Sequence, residues 1–295
     1  MGAVAGRSLM KKPMTIAIAS GKGGTGKTTL STNLSALWAE KRQVVLMDLD
    51  VEEPNSGLFL NGTLIKQEII EKFIPQWNPD VCKLCGKCQE VCEFNAVMKL
   101  GSEIMVFPEL CHGCYACSDL CPNSALPMVS RPMGELNHYR IGSLDFIEGR
   151  LAVGEEQAVP AIKRVKAYQK QELSDADLVI MDSPPGTSCP VIEAVKDVDF
   201  VILITEPTPF GLHDLRLAVE TVRGLERNMG IVINRDGIGD NGVERYCAEE
   251  GLRILARIPQ DRGMAETYSA GELIYPSHPA MKNELSRLID FLEAL

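Results

Sequence analysis

Two sets of residues in this chain have types and spacings that can do chemistry. The first is the glycine-rich run Gly21, Lys22, Gly23, Gly24, Thr25, Gly26, Lys27, Thr28, Thr29, which satisfies G-x-x-x-x-G-K-[ST]. Its glycines let backbone N–H groups turn inward around phosphate oxygens. Lys27 is placed for the β- and γ-phosphates and the Thr28 hydroxyl for Mg2+. The second set is cysteine. Cys82, Cys85, Cys88 and Cys92 recur as Cys111, Cys114, Cys117 and Cys121, every pair offset by 29 residues. The same offset relates Pro79 to Pro108, Val81 to Leu110, Ala96 to Ala125 and Val97 to Leu126, so a whole unit is duplicated. In a reducing compartment such thiols read as metal or redox ligands rather than disulfides.

The phosphate loop needs a strand before it and a helix after it, and the flanking residues supply both. TIAIAS precedes it as a short apolar β-run, and LSTNLSALWAE follows with apolar residues at helical spacing. Further buried strands read QVVLMD (43–48), DLVIMD (177–182), FVILIT (200–205), GIVIN (230–234) and RILARI (253–258). Apolar strands alternating with helices predict a mostly parallel α/β sheet covered on both faces. Alternation stops after Leu60 and resumes near Asp177. The expected organisation is therefore an N-terminal tail (1–13), a discontinuous α/β domain (14–60 and 139–295) and an inserted small α+β domain (61–138). Residues 139–173 read as a hairpin and a basic helix rejoining the main domain, and PAMKNELSRLIDFLEAL as a terminal helix docked through Leu285, Leu288, Ile289 and Leu292.

Strand C-termini are where an open parallel sheet places its ligand, so the acids ending these strands should converge on the phosphate loop. Asp48 and Asp182 suit the Mg2+ site, directly or through water, and Asp50 suits positioning of an attacking water. Asn234 ends GIVIN, where it can hydrogen-bond adenine or cap a helix.

KGGTGKTT from Lys22, DLD from Asp48, DSPPG from Asp182 and INR around Asn234 resemble the MinD/ParA group of deviant-Walker ATPases. That group also includes the nitrogenase iron protein and the Mrp-type ATPases. The resemblance covers 14–60 and 139–295. It implies a P-loop fold with slow ATP hydrolysis and an ATP-dependent dimer, homodimeric or with a related ATPase. In that dimer Lys22 reaches the partner's nucleotide. MinD itself ends in a basic amphipathic membrane helix. Residues 282–295 here set Lys282 and Arg287 against Glu284, Asp290 and Glu293, so membrane tethering is not expected.

Each cysteine repeat reads C-x2-C-x2-C-x3-C, the second closing on Cys121-Pro122, and so resembles the bacterial two-cluster ferredoxin run. In that pattern the fourth cysteine crosses over. The resemblance implies two [4Fe-4S] clusters, cluster I on Cys82, Cys85, Cys88 and Cys121, and cluster II on Cys111, Cys114, Cys117 and Cys92. Zinc is the competing occupant, although zinc sites usually use two separated C-x2-C pairs. His112 reads as a neighbour of the ligands and Cys247 as a buried inert thiol. Cys189, seven residues after Asp182, is either a structural thiol or, by resemblance to the iron protein, a ligand to a metal bridging a dimer. The segment where the iron protein has its other ligand reads GRLAVGEEQAVP, without cysteine.

Composition bounds the rest. The 295 residues carry a formal net charge of -10, which argues against nucleic-acid binding and anionic lipid. No apolar signal segment or 18-residue apolar run is present, and Gly6 stands where a myristoylation pattern wants Ser or Thr. A cytoplasmic protein is expected. Three roles follow: an ATP-gated electron donor to a redox partner, a carrier or assembly factor handing clusters to an acceptor, or a spatial regulator that senses redox state. The carriers use a C-x-x-C near the C-terminus, and none follows Cys247. Because the insert begins close to Asp50, its hinges are expected near Gly62 and Asn137.

Overall fold

The computed structural model describes residues 12–295; of the expected tail, 1–11 lie outside the described residues. A nine-stranded sheet organises the chain. Seven strands run parallel: β1 (Met14–Ala19), β2 (Val44–Asp48), β7 (Leu144–Leu151), β8 (Leu178–Asp182), β9 (Phe200–Thr205), β10 (Met229–Asp236) and β11 (Ile254–Pro259). Antiparallel β6 (Met128–Ile141) and edge strand β3 (Thr63–Pro75) complete the order β11-β10-β9-β1-β8-β2-β7-β6-β3.

The central strands are apolar on both sides because helices cover both faces. On one face α1 (Lys27–Trp38), α8 (Arg262–Ser269) and α9 (Pro279–Glu293) enclose Ile16, Leu30, Leu34, Leu46 and Ile180. On the other, α4 (Ala158–Glu172), α5 (Cys189–Val195), α6 (Pro209–Gly224) and α7 (Gly242–Glu249) enclose Ala17, Val45, Val165, Val179 and Val219. Local sequence sets the helix starts. Pro209 follows the Thr208 cap, whose hydroxyl accepts from Gly211 N at 3.0 Å, and Asp261 accepts from Met264 N at 2.8 Å. Helix α9 docks as expected through Leu285, Leu288 and Leu292, joined by Met281, while Ile289 stays half-buried.

The structure divides the segment expected as one insert. Strands β3 and β6 pair in register from Thr63↔Arg140 to Pro75↔Met128 and extend the main sheet. Only residues 76–127 stand apart. They form the hairpin β4 (Val97–Leu100) and β5 (Glu103–Val106), short helices α2 (Lys87–Glu90) and α3 (Ala116–Asp119), and a small core of Cys88, Val97, Ile104, Cys117 and Leu126. The expected hinges are absent for the same reason. Asn137 is buried mid-strand and donates to Glu148 at 3.3 Å, and Gly62 is pressed against Ile141. The chain leaves the sheet at Pro75 and returns at Met128. Strand β3 runs parallel to β2, so Pro75 lies on the same sheet edge as Asp48 and Asp182. Cross-strand partners place Gln67 level with Asp48, and the eight residues onward to Pro75 project the cysteine unit roughly 26 Å beyond that level.

One buried side chain ties the C-terminal third to the helix behind the phosphate loop. Asn33 Oδ1 accepts from Ile274 N at 2.6 Å and Tyr275 N at 3.0 Å while its amide donates to Thr29 O at 2.8 Å. Asn33→Ala strands two buried N–H donors, and chemical denaturation should show a loss of about 2–4 kcal/mol.

Candidate functional site

The phosphate loop joins β1 to α1. Gly24 and Gly26 take φ of +77° and +99°, a left-handed region that ordinary side chains avoid, and the turn aims the first N–H groups of α1 into the loop. Lys27 is 7% exposed, its ammonium pushed below its ordinary pKa by burial and held charged by Asp182, Asp50 and Asp48. Lys22 is half-buried at the loop mouth, and its carbonyl accepts from the Ser20 hydroxyl at 2.6 Å. Asn234 serves the loop itself: its amide donates to Thr25 O at 2.8 Å and its side chain backs Gly26 where a Cβ would clash.

Asp48 and Asp182 are register partners on adjacent strands, each 1% exposed. Burial, then the neighbouring Asp182 charge, raises the Asp48 carboxyl to about 8. Burial raises Asp182 to about 6, opposed by Thr28, Lys27 and Ser31. Burial also raises Asp50, against the pull of Lys27. The segment after β2 folds back over this pair. Asp48 Oδ2 accepts from Asn55 N at 3.1 Å and Ser56 N at 2.9 Å, Asp48 Oδ1 from Asp50 N at 3.1 Å, and the Ser56 hydroxyl reaches Asp182 at 3.4 Å. Ser56 carries no sequence signal; seven residues of irregular chain separate it from Asp48. Glu148 of β7 is the next register partner in the row, and only the sheet order could have shown it.

Among the described residues, buried oxygens of Thr25, Asp182 and Ser183 find no hydrogen-bond partner. Orphaned oxygens beside a lysine and a helix N-terminus fit an Mg2+-nucleotide, which supplies both a cation for the carboxylates and acceptors for the loop N–H groups.

The cysteines surround two cavities. One is lined by Cys82, Cys85, Cys88 and Cys121 with Lys83 and Lys87. The other is lined by Cys92, Cys111, Cys114 and Cys117 with Phe94, His112 and Tyr115. In each, the fourth cysteine comes from the other repeat. The duplication extends to the backbone: Leu84 and Gly113, Gly86 and Tyr115, Asn95 and Ser124 all have positive φ. Leu84 N and Gly113 N donate to Cys82 and Cys111 Sγ at 3.4 and 3.5 Å, and Ala96 N and Ala125 N to Cys92 and Cys121 Sγ at 3.3 Å each. His112 stacks on Phe94 with ring centroids 3.8 Å apart. Cys189 is exposed at the start of α5; Cys247 is buried and its thiol pushed up to about 11 by burial.

Comparison with known proteins now adds to this geometry. The model of the CobQ/CobB/MinD/ParA nucleotide-binding domain matches residues 16–274. The chain belongs to this family. An uncharacterized protein of Methanocaldococcus jannaschii is 37% identical over 281 residues, covering 95% of this chain and 96% of that protein. The iron-sulfur cluster carrier protein of Pyrococcus horikoshii is 27% identical over 290 residues, covering 90% and 81%. The crystal structure of the Pyrococcus furiosus cell division ATPase MinD shares the fold, with a TM-score of 0.57 at 19% identity and coverage of 96% and 99%. This CobQ/CobB/MinD/ParA chain has, among the described residues, no helix long and apolar enough to cross a membrane.

The family's nucleotide site here carries a pH signature. The folded Asp48 pKa of about 8 exceeds the unfolded value of about 3.9. Its contribution to the nucleotide-free fold is therefore complete below pH ~4 and lost as pH rises through about 8. Mg2+ needs the ionised carboxylate, so Mg-nucleotide binding should release a proton near neutral pH. Calorimetry in buffers of different ionisation enthalpy checks this, and Asp48→Asn should remove both the release and the alkaline loss of melting temperature.

Proposed function

We propose that this P-loop protein binds and slowly hydrolyses Mg-ATP as a dimer. Nucleotide state is coupled to one-electron transfer through two resident [4Fe-4S] clusters. The carrying observation is the pair of cysteine cavities with exchanged fourth ligands, mounted on β3 and β6 beyond the nucleotide edge of the sheet. Cys82, Cys85, Cys88 and Cys121 would hold cluster I, and Cys111, Cys114, Cys117 and Cys92 cluster II. When bound, the clusters supply one-electron exchange. The donor arrangement favours clusters over zinc. A single zinc would draw four sulfurs to about 2.3 Å from one point, and among the described residues no three His, Cys, Asp or Glu side chains converge in that way. Backbone N–H groups aimed at sulfur suit thiolates that stay ligated, since such bonds tune a cluster's potential.

The ATPase residues divide the work. Lys27 and the loop N–H groups bind the phosphates. Thr28 and Asp182 hold Mg2+ directly or through water with Asp48, and Asp50 orients the attacking water. Lys22, at the loop mouth, contacts the partner's nucleotide across the dimer. A redox protein is the expected partner, in the cytoplasm.

A second reading is supported by the relatives named iron-sulfur cluster carrier protein, from Pyrococcus horikoshii and Pyrococcus abyssi: the ATPase hands clusters to an acceptor. Retained iron after incubation with an apo-ferredoxin, together with ATP-dependent electron transfer from clusters first reduced with dithionite (excess removed) to an oxidised ferredoxin, supports electron transfer. Loss of iron to the apo-protein supports the carrier.

Anaerobic reconstitution should give about eight iron and eight sulfide per chain, from two four-iron clusters. Cys121→Ser should damage the cluster bound mainly by the first repeat and Cys92→Ser the other. Stoichiometric zinc without sulfide would reject the clusters. Separately, Lys22→Ala should bind ATP with unchanged affinity yet stay monomeric by light scattering; normal dimerisation would remove Lys22 from the interface.

A further inference from the structure

The two cysteine repeats, alike in sequence, are attached differently to the ATPase body. Among the described residues, every hydrogen bond and ion pair of residues 80–104 stays within the cysteine unit. The second repeat reaches outside it. Gln157 Nε2 donates to Cys111 O at 2.9 Å and to Glu109 O at 3.4 Å, and Arg131 pairs with Glu109 at 3.0 Å. Gly113, at φ +60°, lies so close to β3 that a Cβ would come within 2.9 Å of Phe73 O. Just behind it, Lys72 of β3 and Glu155 form a buried ion pair at 2.8 Å.

Gln157 is also the residue that opens α4, and it makes no side-chain cap to its own helix. The body of α4 touches both segments that flank the nucleotide carboxylates. Val51 follows Asp50 directly, and its carbonyl accepts from Leu151 N at 2.8 Å. Gly149 of β7 is the window between them: a Cβ there would lie 2.8 Å from Val165 of α4 and 2.9 Å from Val51. After Asp182 the chain forms α5, whose last carbonyls are held from α4. Buried Lys166 Nζ lies 2.6 Å from Glu193 O and 3.4 Å from Ala194 O.

We propose that α4 transmits nucleotide state to the second repeat alone, with Lys166 and Gln157 as the positioning residues at its two contacts. The inference rests on the proposed nucleotide coupling and assigns it a route. Gln157 stands at the start of this helix and Lys166 nine residues on, about 14 Å along its axis, so a shift of α4 at Lys166 is carried to Gln157 by the rigid helix between them. The Cys92, Cys111, Cys114, Cys117 cavity is thus the nucleotide-linked one, and the Cys82, Cys85, Cys88, Cys121 cavity is the outer one.

Hydrogen exchange on the anaerobically loaded full chain, with and without Mg2+ and a nonhydrolysable ATP analogue, tests this. The analogue should alter protection in 109–117 and in the first turn of α4, and leave 82–90 unchanged. Gln157→Glu keeps the side chain's size but cannot donate, so the response at 109–117 should vanish while that at the phosphate loop and 183–195 remains. Lys166→Met should weaken the 109–117 response in the same way. Equal responses in both repeats, no response at 109–117 despite protection of the phosphate loop, or a response that survives Gln157→Glu would each overturn the route. Iron and sulfide assays of the same samples report on the clusters, and protection of the phosphate loop on nucleotide binding, so failure of either underlying reading is seen separately.

Discussion

Two carboxylates lying side by side with almost no water is the constraint on which the rest of this structure depends. Asp48 and Asp182 end neighbouring parallel strands, and neither can be fully ionised without a compensating cation. In the nucleotide-free chain the compensation is a proton retained on Asp48, whose pKa burial and the Asp182 charge raise, with the nearby Lys27 ammonium and N–H groups from Asp50, Asn55 and Ser56. Mg2+ offers the missing charge. The sheet holds this arrangement: β2 and β8 pair in register from Val44↔Leu178 to Asp48↔Asp182, and a one-residue slip would mismatch the close packing under the helices on both faces and separate the two acids.

How much of this was legible in the sequence depended on whether the signal was local. The phosphate loop lies within nine consecutive residues, and its flanking strand and helix declare themselves by apolar periodicity. The seven parallel strands read similarly, as short apolar runs, three of which (QVVLMD, DLVIMD and GIVIN) end in Asp or Asn, although β7 was seen only as half of a hairpin. The edge strand β3 was missed for a physical reason. TLIKQEIIEKFIP packs only one face and pairs with only one neighbour, so charged and apolar residues mix along it as they would in a loop. Its partner β6 contains Pro132 and Gly134 and looked equally irregular. Ser56 and Glu148 were invisible because their place beside Asp48 is set by tertiary packing. Asn234 was read as the end of GIVIN, but β10 continues to Asp236, and the group it meets, the Thr25 carbonyl, is 209 residues away.

The cysteine unit shows what duplication preserves. Left-handed backbone recurs at matched positions, and so do the N–H groups aimed at the first and fourth sulfurs of each repeat. Side chains around the cavities have diverged: Lys83 and Lys87 line one, while His112 and Ala116 stand at the equivalent positions in the other. Geometry that shapes a ligand cage is held in common, and whatever differs is free to set two environments.

The mounting of that unit limits how nucleotide can act on it. A swinging domain needs a flexible joint, yet β3 and β6 pair with each other up to Pro75 and Met128, with register shifts at Leu64/Lys66 and Ile70/Glu71, and β6 pairs with β7 over Gly134–Ile141. A ladder of that kind is stiff. Bending it would break several backbone hydrogen bonds at once, each worth about 0.5–1.5 kcal/mol, which together are comparable to the whole coupling free energy of about 1–3 kcal/mol found between allosteric sites. Nucleotide binding therefore has too little energy to reorient the unit as a body, and has enough to shift a few contacts at its base. Such contacts exist where Gln157 meets Cys111 and Glu109. By thermodynamic reciprocity, whatever nucleotide does to the sulfurs through those contacts, a change of charge at the sulfurs must do to nucleotide affinity. On the proposed coupling, a stiff mount with a local contact at its foot makes the nucleotide site and the cysteine unit one linked equilibrium.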